Sequence, residues 1–196
     1  MFRSCRRILA VGIIVAVALI IPSIFAFLGF KGVIFHGKGI IAAYKKQQFD
    51  SLQKEVTETK NSLQTANISL SFLFWLRAIP ILGGYYSDAK GLTAAAVEEF
   101  RALDTILTNI STTHAELGFD GNPKSGPDRV TQAVAILNKS LPYLSKVERN
   151  LNRAADSVKN IDTNKYPEKV NGKAVKKNIE LAKNFILGTG VAAKDG

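Results

Sequence analysis

Residues able to do chemistry are sparse in this chain of 196 residues, which has two histidines and one cysteine. A zinc site needs three or four nitrogen, sulfur or carboxylate ligands brought together. His114 with Glu116 has no cysteine pair or second histidine nearby, and His36 stands alone beside the N-terminal apolar block. The acidic pairs Glu55 with Glu58 and Glu98 with Glu99 lack the Glu-x-x-His pattern of di-iron bundles and read as solvated helix faces. The loop Gly121-Asn122-Pro123-Lys124-Ser125-Gly126 has the glycine spacing of a phosphate-binding loop, yet Pro127-Asp128 follows where Lys and Ser or Thr are needed. It also fails as a calcium loop, because Lys124 takes the third ligand position after Asp120 and Asn122. No serine sits in a strand-turn-helix elbow, since no run shows the period of two that strands need. Catalytic, cofactor-binding and metal residues are therefore expected to be none, and the chain reads as a non-enzyme.

The elements that would position any site begin with an anchor. Arg3, Arg6 and Arg7 precede an uncharged run, 8–30, that contains Ile8, Ile20, Pro22 and Phe30 and ends at Lys31. At about 1.5 Å per residue it is roughly 35 Å long, enough to cross a hydrocarbon core about 30 Å thick. A cleaved signal peptide would have a shorter apolar core and a small-x-small site, for which Ile24 and Ala26 are a poor match. Cys5 precedes the block, which excludes a lipoprotein, and as the single cysteine it has no partner for a disulfide within the chain. The formal net charge is +10. Dense arginine on the tail 1–7, weighed against Lys31, Lys38, Lys45 and Lys46, predicts a cytoplasmic tail with the bulk of the chain outside the cell membrane. There a basic balance suits anionic lipid headgroups or wall polymers, and nucleic acid is not an expected partner.

Beyond the anchor, Gly32, Gly37 and Gly39 predict a flexible connector over 31–42. Phe49, Leu52, Val56, Leu63, Ala66, Leu70 and Leu73, with Thr59 at the missing heptad site, predict a long amphipathic helix from about Ala43 to Arg77. Pro80 and Gly83-Gly84 then reverse the chain. A second helix from Tyr85 carries Leu92, Ala96, Phe100, Leu103, Leu107, Ile110 and Leu117 on one stripe and stops at Gly118. A third opens at Pro127, kinks at Pro142 and repeats the pattern through Leu141, Leu144, Leu151, Val158 and Ile161. A fourth from Pro167 to Leu187 stops at Gly188, leaving 188–196 as a polar tail. The predicted fold is all-α: a single N-terminal transmembrane helix followed by an antiparallel up-down bundle of about four helices over 43–187. A straight helix from Ala43 to Arg77 would extend roughly 50 Å, carrying the hairpin at its end far from the bilayer. The third helix returns there, which predicts Ile161 and Tyr166 near Trp75 and Tyr85. The same heptads serve equally within one chain or between copies, so the oligomeric state stays open.

Two surfaces stand out. Phe72, Trp75, Ile79, Leu82, Tyr85 and Tyr86 form an apolar hairpin denser than a bundle end needs, either a cap on the core or a docking surface for another envelope protein. Lys169, Lys173, Lys176, Lys177 and Lys183 line one side of the fourth helix, opposite Val175, Ile179, Ala182 and Ile186. Such a stripe is a solvated face or an attachment site for anionic envelope polymers.

The segment Leu76-Arg77-Ala78-Ile79-Pro80-Ile81-Leu82-Gly83-Gly84-Tyr85-Tyr86-Ser87-Asp88-Ala89 resembles the bacterial family called domain of unknown function 4012. Leu117-Gly118-Phe119-Asp120-Gly121 and Ile161-Asp162-Thr163-Asn164-Lys165-Tyr166-Pro167-Glu168 look like the same family's helical N-terminal region. The resemblance implies a membrane-anchored, extracytoplasmic helical region that precedes a larger domain, whose Tyr-Leu-rich strand and Phe-Gln-Asn segment are absent here. A truncated member, a fragment or a stand-alone stalk is the expectation. The function expected is an envelope stalk or interaction module; the alternative is a membrane-tethered sensory bundle that binds a ligand between its helices.

Overall fold

The computed structural model describes residues 2–46, 48–114 and 126–195, with side chains placed for 17, 19–46, 48–111, 138 and 140–194. Helices account for most of them: α1 Phe2–Lys45, α2 Phe49–Ser71, α3 Leu82–His114, α4 Gly126–Val158 and α5 Val175–Asp195. The protein is thus all-α, with one short hairpin, β1 Lys169–Val170 paired antiparallel with β2 Lys173–Ala174. The Gly118 stop, the 121–125 loop, Glu116 and the His114 side chain lie outside the described residues.

The expected connector at 31–42 is not a hinge. α1 runs unbroken for 44 residues through Gly32, Gly37 and Gly39. The reason is packing: α2 turns back after Lys46 and lies antiparallel along α1. A Cβ on Gly29 would stand 2.8 Å from the Ala66 nitrogen, one on Gly32 2.5 Å from Ser62 Oγ, and one on Gly39 2.5 Å from the Glu55 carboxyl carbon. Glycine at these positions lets two helices approach closely, as small residues do at tight crossings. Facing them, α2 buries Val56, Thr59, Leu63 and Ala66, four of the heptad positions read from the sequence, together with Ser69, which was not among them. Burying this face offsets glycine's helix penalty of about 1 kcal/mol per residue.

This return reverses the expected geometry. α2 runs back beside the apolar half of α1 instead of leading away from it, and its final turns share a groove with Val17, Ile21, Pro22 and Phe25. The hairpin at the end of α2 is therefore level with the apolar run, not roughly 50 Å beyond it.

The remaining helices meander. α3 lies antiparallel to α2, with Thr57 Oγ1 donating to Asp104 Oδ1 at 2.8 Å near one end and Lys90 Nζ donating to Asn67 Oδ1 at 2.5 Å near the other. α4 follows α3, with Asn109 Nδ2 donating to Ser140 Oγ at 2.8 Å and Gly91 against the Ser157 carbonyl. α5 follows α4, with Lys183 Nζ donating to the Ile161 carbonyl at 2.6 Å. α3, α4 and α5 share an apolar centre of Ala95, Ala154, Val158, Ile161 and Ile186, flanked by Leu92, Ile179 and Leu187. Burial on α3 is not the single predicted stripe: Ala95, Val97, Ala102 and Leu107 are buried, whereas Leu103 and Ile110 are exposed. A helix packed between α2 and α4 must bury two sides.

The fourth predicted helix begins and ends later than its residues suggested. Asn171 and Gly172, at φ 48° and 76°, make the tight turn of the hairpin, because turns matched to strand twist need positive φ at both central residues. α5 then continues through Gly188 to Asp195, so 188–195 is helix, not tail. Gly190 sits where a Cβ would be 2.7 Å from Ala155 Cβ, another close crossing.

Candidate functional site

The end of the α2–α3 hairpin is built from a short, strained turn. α2 stops at Ser71, a 3₁₀ turn covers Phe74–Ala78, and Pro80 precedes Ile81. Ile81 adopts φ 70°. A β-branched residue in that region costs on the order of 1–3 kcal/mol, and here it holds an apolar side chain 82% exposed. Ile68, Phe72, Phe74 and Leu82 are also exposed, and Trp75 is 38% exposed, while Leu73 turns inward.

Of the residues predicted for this tip, Phe72, Trp75 and Leu82 do face outward, and Ile79 is half-buried. Tyr85 and Tyr86 are half-buried and act as struts. Tyr86 OH donates to the Leu70 carbonyl at 2.8 Å, closing the end of α2, and Tyr85 OH donates to the Lys165 carbonyl at 2.9 Å. The Tyr85 and Tyr166 rings meet edge to face with centroids 5.2 Å apart, the neighbourhood anticipated from helix lengths. Behind them, buried Asp88 accepts from Tyr166 OH at 2.9 Å and pairs with Lys165 Nζ at 2.7 Å. Burial, and then the adjacent Asp88 carboxylate, push the Tyr166 phenol well above the usual tyrosine range. Phe74 and Ile81, which belong to the same apolar hairpin in the sequence, are exposed as well, whereas the Asp88 latch was not singled out from sequence.

Two grooves adjoin the tip. One, of about 560 Å³, runs between α1 and α2 and is walled by Val17, Ile21, Pro22, Phe25, Ile68 and Phe72 with only Thr65 and Ser69 among them. Of the predicted anchor residues, Pro22 lies inside α1, Ile20 and Phe30 are exposed, and the Ile8 side chain is outside the described residues. The other groove, of about 380 Å³, gathers Ser71, Arg77, Ser87, Lys90 and Ser157 beside Phe74 and Tyr86. Lys90 Nζ is committed to the Asn67 carbonyl, Asn67 Oδ1 and Ser71 Oγ, and burial lowers its pKa from the ordinary lysine value.

The five candidate lysines do not share one helix face. Lys169 and Lys173 sit on the hairpin, Lys176 lies 3.4 Å from Glu168, Lys177 is exposed, and Lys183 is tied to the Ile161 carbonyl. The dipeptide Asn171-Gly172 was the missed signal, since it marks a hairpin wherever it separates two short extended segments.

His36 Nδ1 lies 2.8 Å from Glu55 Oε2 and links α1 to α2. Within the array, Glu98 Oε2, Asn150 Nδ2 and Asn152 Oδ1 are buried without a hydrogen-bond partner. Among the described residues, α1 holds one stretch long and apolar enough to cross a membrane, Leu19–Lys45, with mean hydropathy 1.8. Compared with family models, with curated proteins and with solved structures, the chain finds no match.

Proposed function

We propose that this protein is a non-catalytic helical interaction module of the cell envelope, held by α1 in the cell membrane, with α2 to α5 forming an up-down four-helix bundle outside the cytoplasm. The observation that carries this reading is α1 itself, an unbroken helix whose outward face is apolar: Ile20, Ile21, Ile24, Phe25, Phe27 and Leu28 are all exposed. Exposed apolar surface on this scale marks a membrane or partner contact. The crossing portion is 8–30 and not the C-terminal half of α1, because the latter half carries Lys31, Lys38 and Lys45 and faces Glu55, whose carboxylate lies 2.8 Å from His36. Hydrocarbon around those charges would be costly. The arginine-rich tail favours a cytoplasmic N-terminus. Membership of the domain of unknown function 4012 family is part of the proposal, supported by the 76–89 signature that coincides with the turn shaping the tip. Lys169, Lys173 and Lys177 remain exposed for anionic envelope polymers.

Alkaline carbonate washing of membranes tests the anchor. The chain is expected to stay in the membrane pellet, and Ile20→Arg, worth about 2.5–3.5 kcal/mol against insertion, is expected to shift it toward the supernatant. Parent protein released by carbonate would sink the reading. A second reading, a sensory bundle, draws on the unpartnered Glu98 and Asn150 atoms. They sit at matching levels of α3 and α4, judging from the Gly91–Ser157 and Asn109–Ser140 contacts. A polar ligand that raises the melting midpoint only while Glu98 is intact would favour it.

A further inference from the structure

We propose that the cleft between the turn after α2 and the facing sides of α3 and α4 binds a soluble phosphate monoester carrying an aromatic or apolar body. Its walls follow from local geometry. In the 3₁₀ turn Phe74–Ala78, side chains three apart eclipse, which sets Phe74 and Arg77 on one side. On α3, Ser87, Lys90, Gly91 and Ala94 recur at spacings of three and four and share one face. Ser71 and Ser157 complete a space of about 380 Å³, within the range of small-molecule sites. Gly83 and Gly91 draw these pieces together, since a Cβ on the first would collide with the Arg77 carbonyl and one on the second with the Ser157 carbonyl. Ile81, in its left-handed conformation, lies between Arg77 and Ser87 in the chain and sets their relative position, as backbone strain does at ligand clamps. Among the described residues, none of α1 lines this cleft.

The charge in the cleft has one sign. Arg77 and Lys90 bring two cations, and among the described residues no carboxylate lines the space. Lys90 has three acceptors, the Asn67 carbonyl, Asn67 Oδ1 and Ser71 Oγ, all of them neutral. Burial lowers its pKa, as expected of a cation held without a counter-charge. Among the described residues, neither the Arg77 guanidinium nor the Ser87 hydroxyl has a hydrogen-bond partner. Burial pushes the Tyr86 phenol up and the Arg77 charge pulls it the other way, so the guanidinium stands close to that ring. A guanidinium presents two parallel N–H donors to the oxygens of one phosphate, and the Ser87 O–H is free to donate to a third. Lys90, its protons engaged, acts through its field. A phosphate monoester carries about −1.5 to −2 charges at pH 7, which answers both cations, whereas a carboxylate would leave one uncompensated. The rings of Phe74 and Tyr86 flank the remaining space and suit an apolar body. Exposed Asp162 and Glu168 lie on the segment that Lys165 docks beside Gly84 and Tyr85. Their charges disfavour an anionic lipid surface at this end, which makes the ligand a soluble molecule.

Phenyl phosphate titrated calorimetrically into the full chain, solubilised in an uncharged maltoside detergent, tests the assignment. Expected is saturable one-to-one binding that tightens as pH rises through about 6, where the monoester takes on its second charge. Phenyl sulfate, of the same shape with a single charge, should bind more weakly, and phenol should not bind. Arg77→Gln should weaken phenyl phosphate at least about tenfold, the loss expected for hydrogen bonds to a charged group. Arg77 is exposed, so the variant should keep the parent's helicity and melting midpoint. Equal affinity for parent and Arg77→Gln would put the ligand elsewhere and overturn the proposal. Phenyl sulfate binding as tightly as phenyl phosphate, with no change across pH 6, would show that only one charge is read and would overturn the monoester assignment. Absence of saturable binding at millimolar phenyl phosphate overturns it as well. None of these outcomes bears on whether α1 crosses the membrane.

Discussion

Asp88 shows how one residue can hold a loop that is remote in sequence. Its carboxylate, 6% exposed, is the acceptor for a phenol 78 positions away and for the adjacent Lys165. Asp88→Ala leaves the Tyr166 hydroxyl without its acceptor and Lys165 Nζ with the Gly84 carbonyl, 3.2 Å away, in place of a carboxylate. Breaking a buried pair costs about 3–5 kcal/mol; since Lys165 is 29% exposed, a loss near the lower bound is expected. Tyr166→Phe removes one hydrogen bond to a charged group and is expected to cost about 1.5–3 kcal/mol, with both variants compared by denaturant titration of helicity. The pH dependence has a definite sign. The folded state holds the Tyr166 proton more tightly than the unfolded chain does. This contribution is complete below about pH 10 and is lost as pH rises toward the raised folded value. Tyr166→Phe should therefore flatten the alkaline fall in unfolding midpoint; an unchanged slope would show that Tyr166 does not contribute to it. The Tyr85–Tyr166 neighbourhood was legible in the sequence because helix lengths alone bring the two together. The Asp88 latch was not, since an aspartate early in a helix looks ordinary until its distant partners are placed.

At the scale of elements, the glycines of α1 separate propensity from packing. Read locally, Gly32, Gly37 and Gly39 weaken a helix, and nothing in their immediate neighbours says otherwise. What overrides propensity is α2, whose buried Leu63, Ala66 and Ser69 fit only against a nearly bare backbone. The α2 heptads were legible because their period is local, but the seam partner was invisible to a one-dimensional pattern. Opposite outcomes are expected for two chemically identical changes. Gly29→Ala would set a methyl 2.8 Å from the Ala66 nitrogen and 2.9 Å from the Ser62 carbonyl oxygen, forcing the helices apart at a cost of about 1–3 kcal/mol. Gly37→Ala meets nothing within 4 Å and should stabilise α1 by about 0.5–1 kcal/mol. Titrating detergent-solubilised protein with dodecyl sulfate while following helicity measures both; destabilisation by Gly37→Ala, or none by Gly29→Ala, would refute the seam.

At the scale of the whole molecule, a correct set of lengths led to a reversed shape. The long second helix and its aromatic end are present, yet the 31–42 segment carries α1 onward before α2 returns, so the same hairpin that would have stood far from the bilayer comes back beside the apolar run. In the proposed topology, orientation across the membrane depends on the charges at the two ends of that run. Arg3, Arg6 and Arg7 lie within seven residues of the N-terminus, whereas Lys31 and Lys38 beyond the run are spread along α1. The local density of cations near a span end weighs most in setting which end stays inside. The single cysteine offers a direct measurement, because Cys5 lies among these arginines. A membrane-impermeant maleimide should leave Cys5 unlabelled in intact cells and modify it after permeabilisation. In a Cys5→Ser background, Asn178→Cys on the exposed side of α5 should behave in the opposite way and react without permeabilisation. Labelling of Cys5 in intact cells, with Asn178→Cys protected, would place the helical array in the cytoplasm.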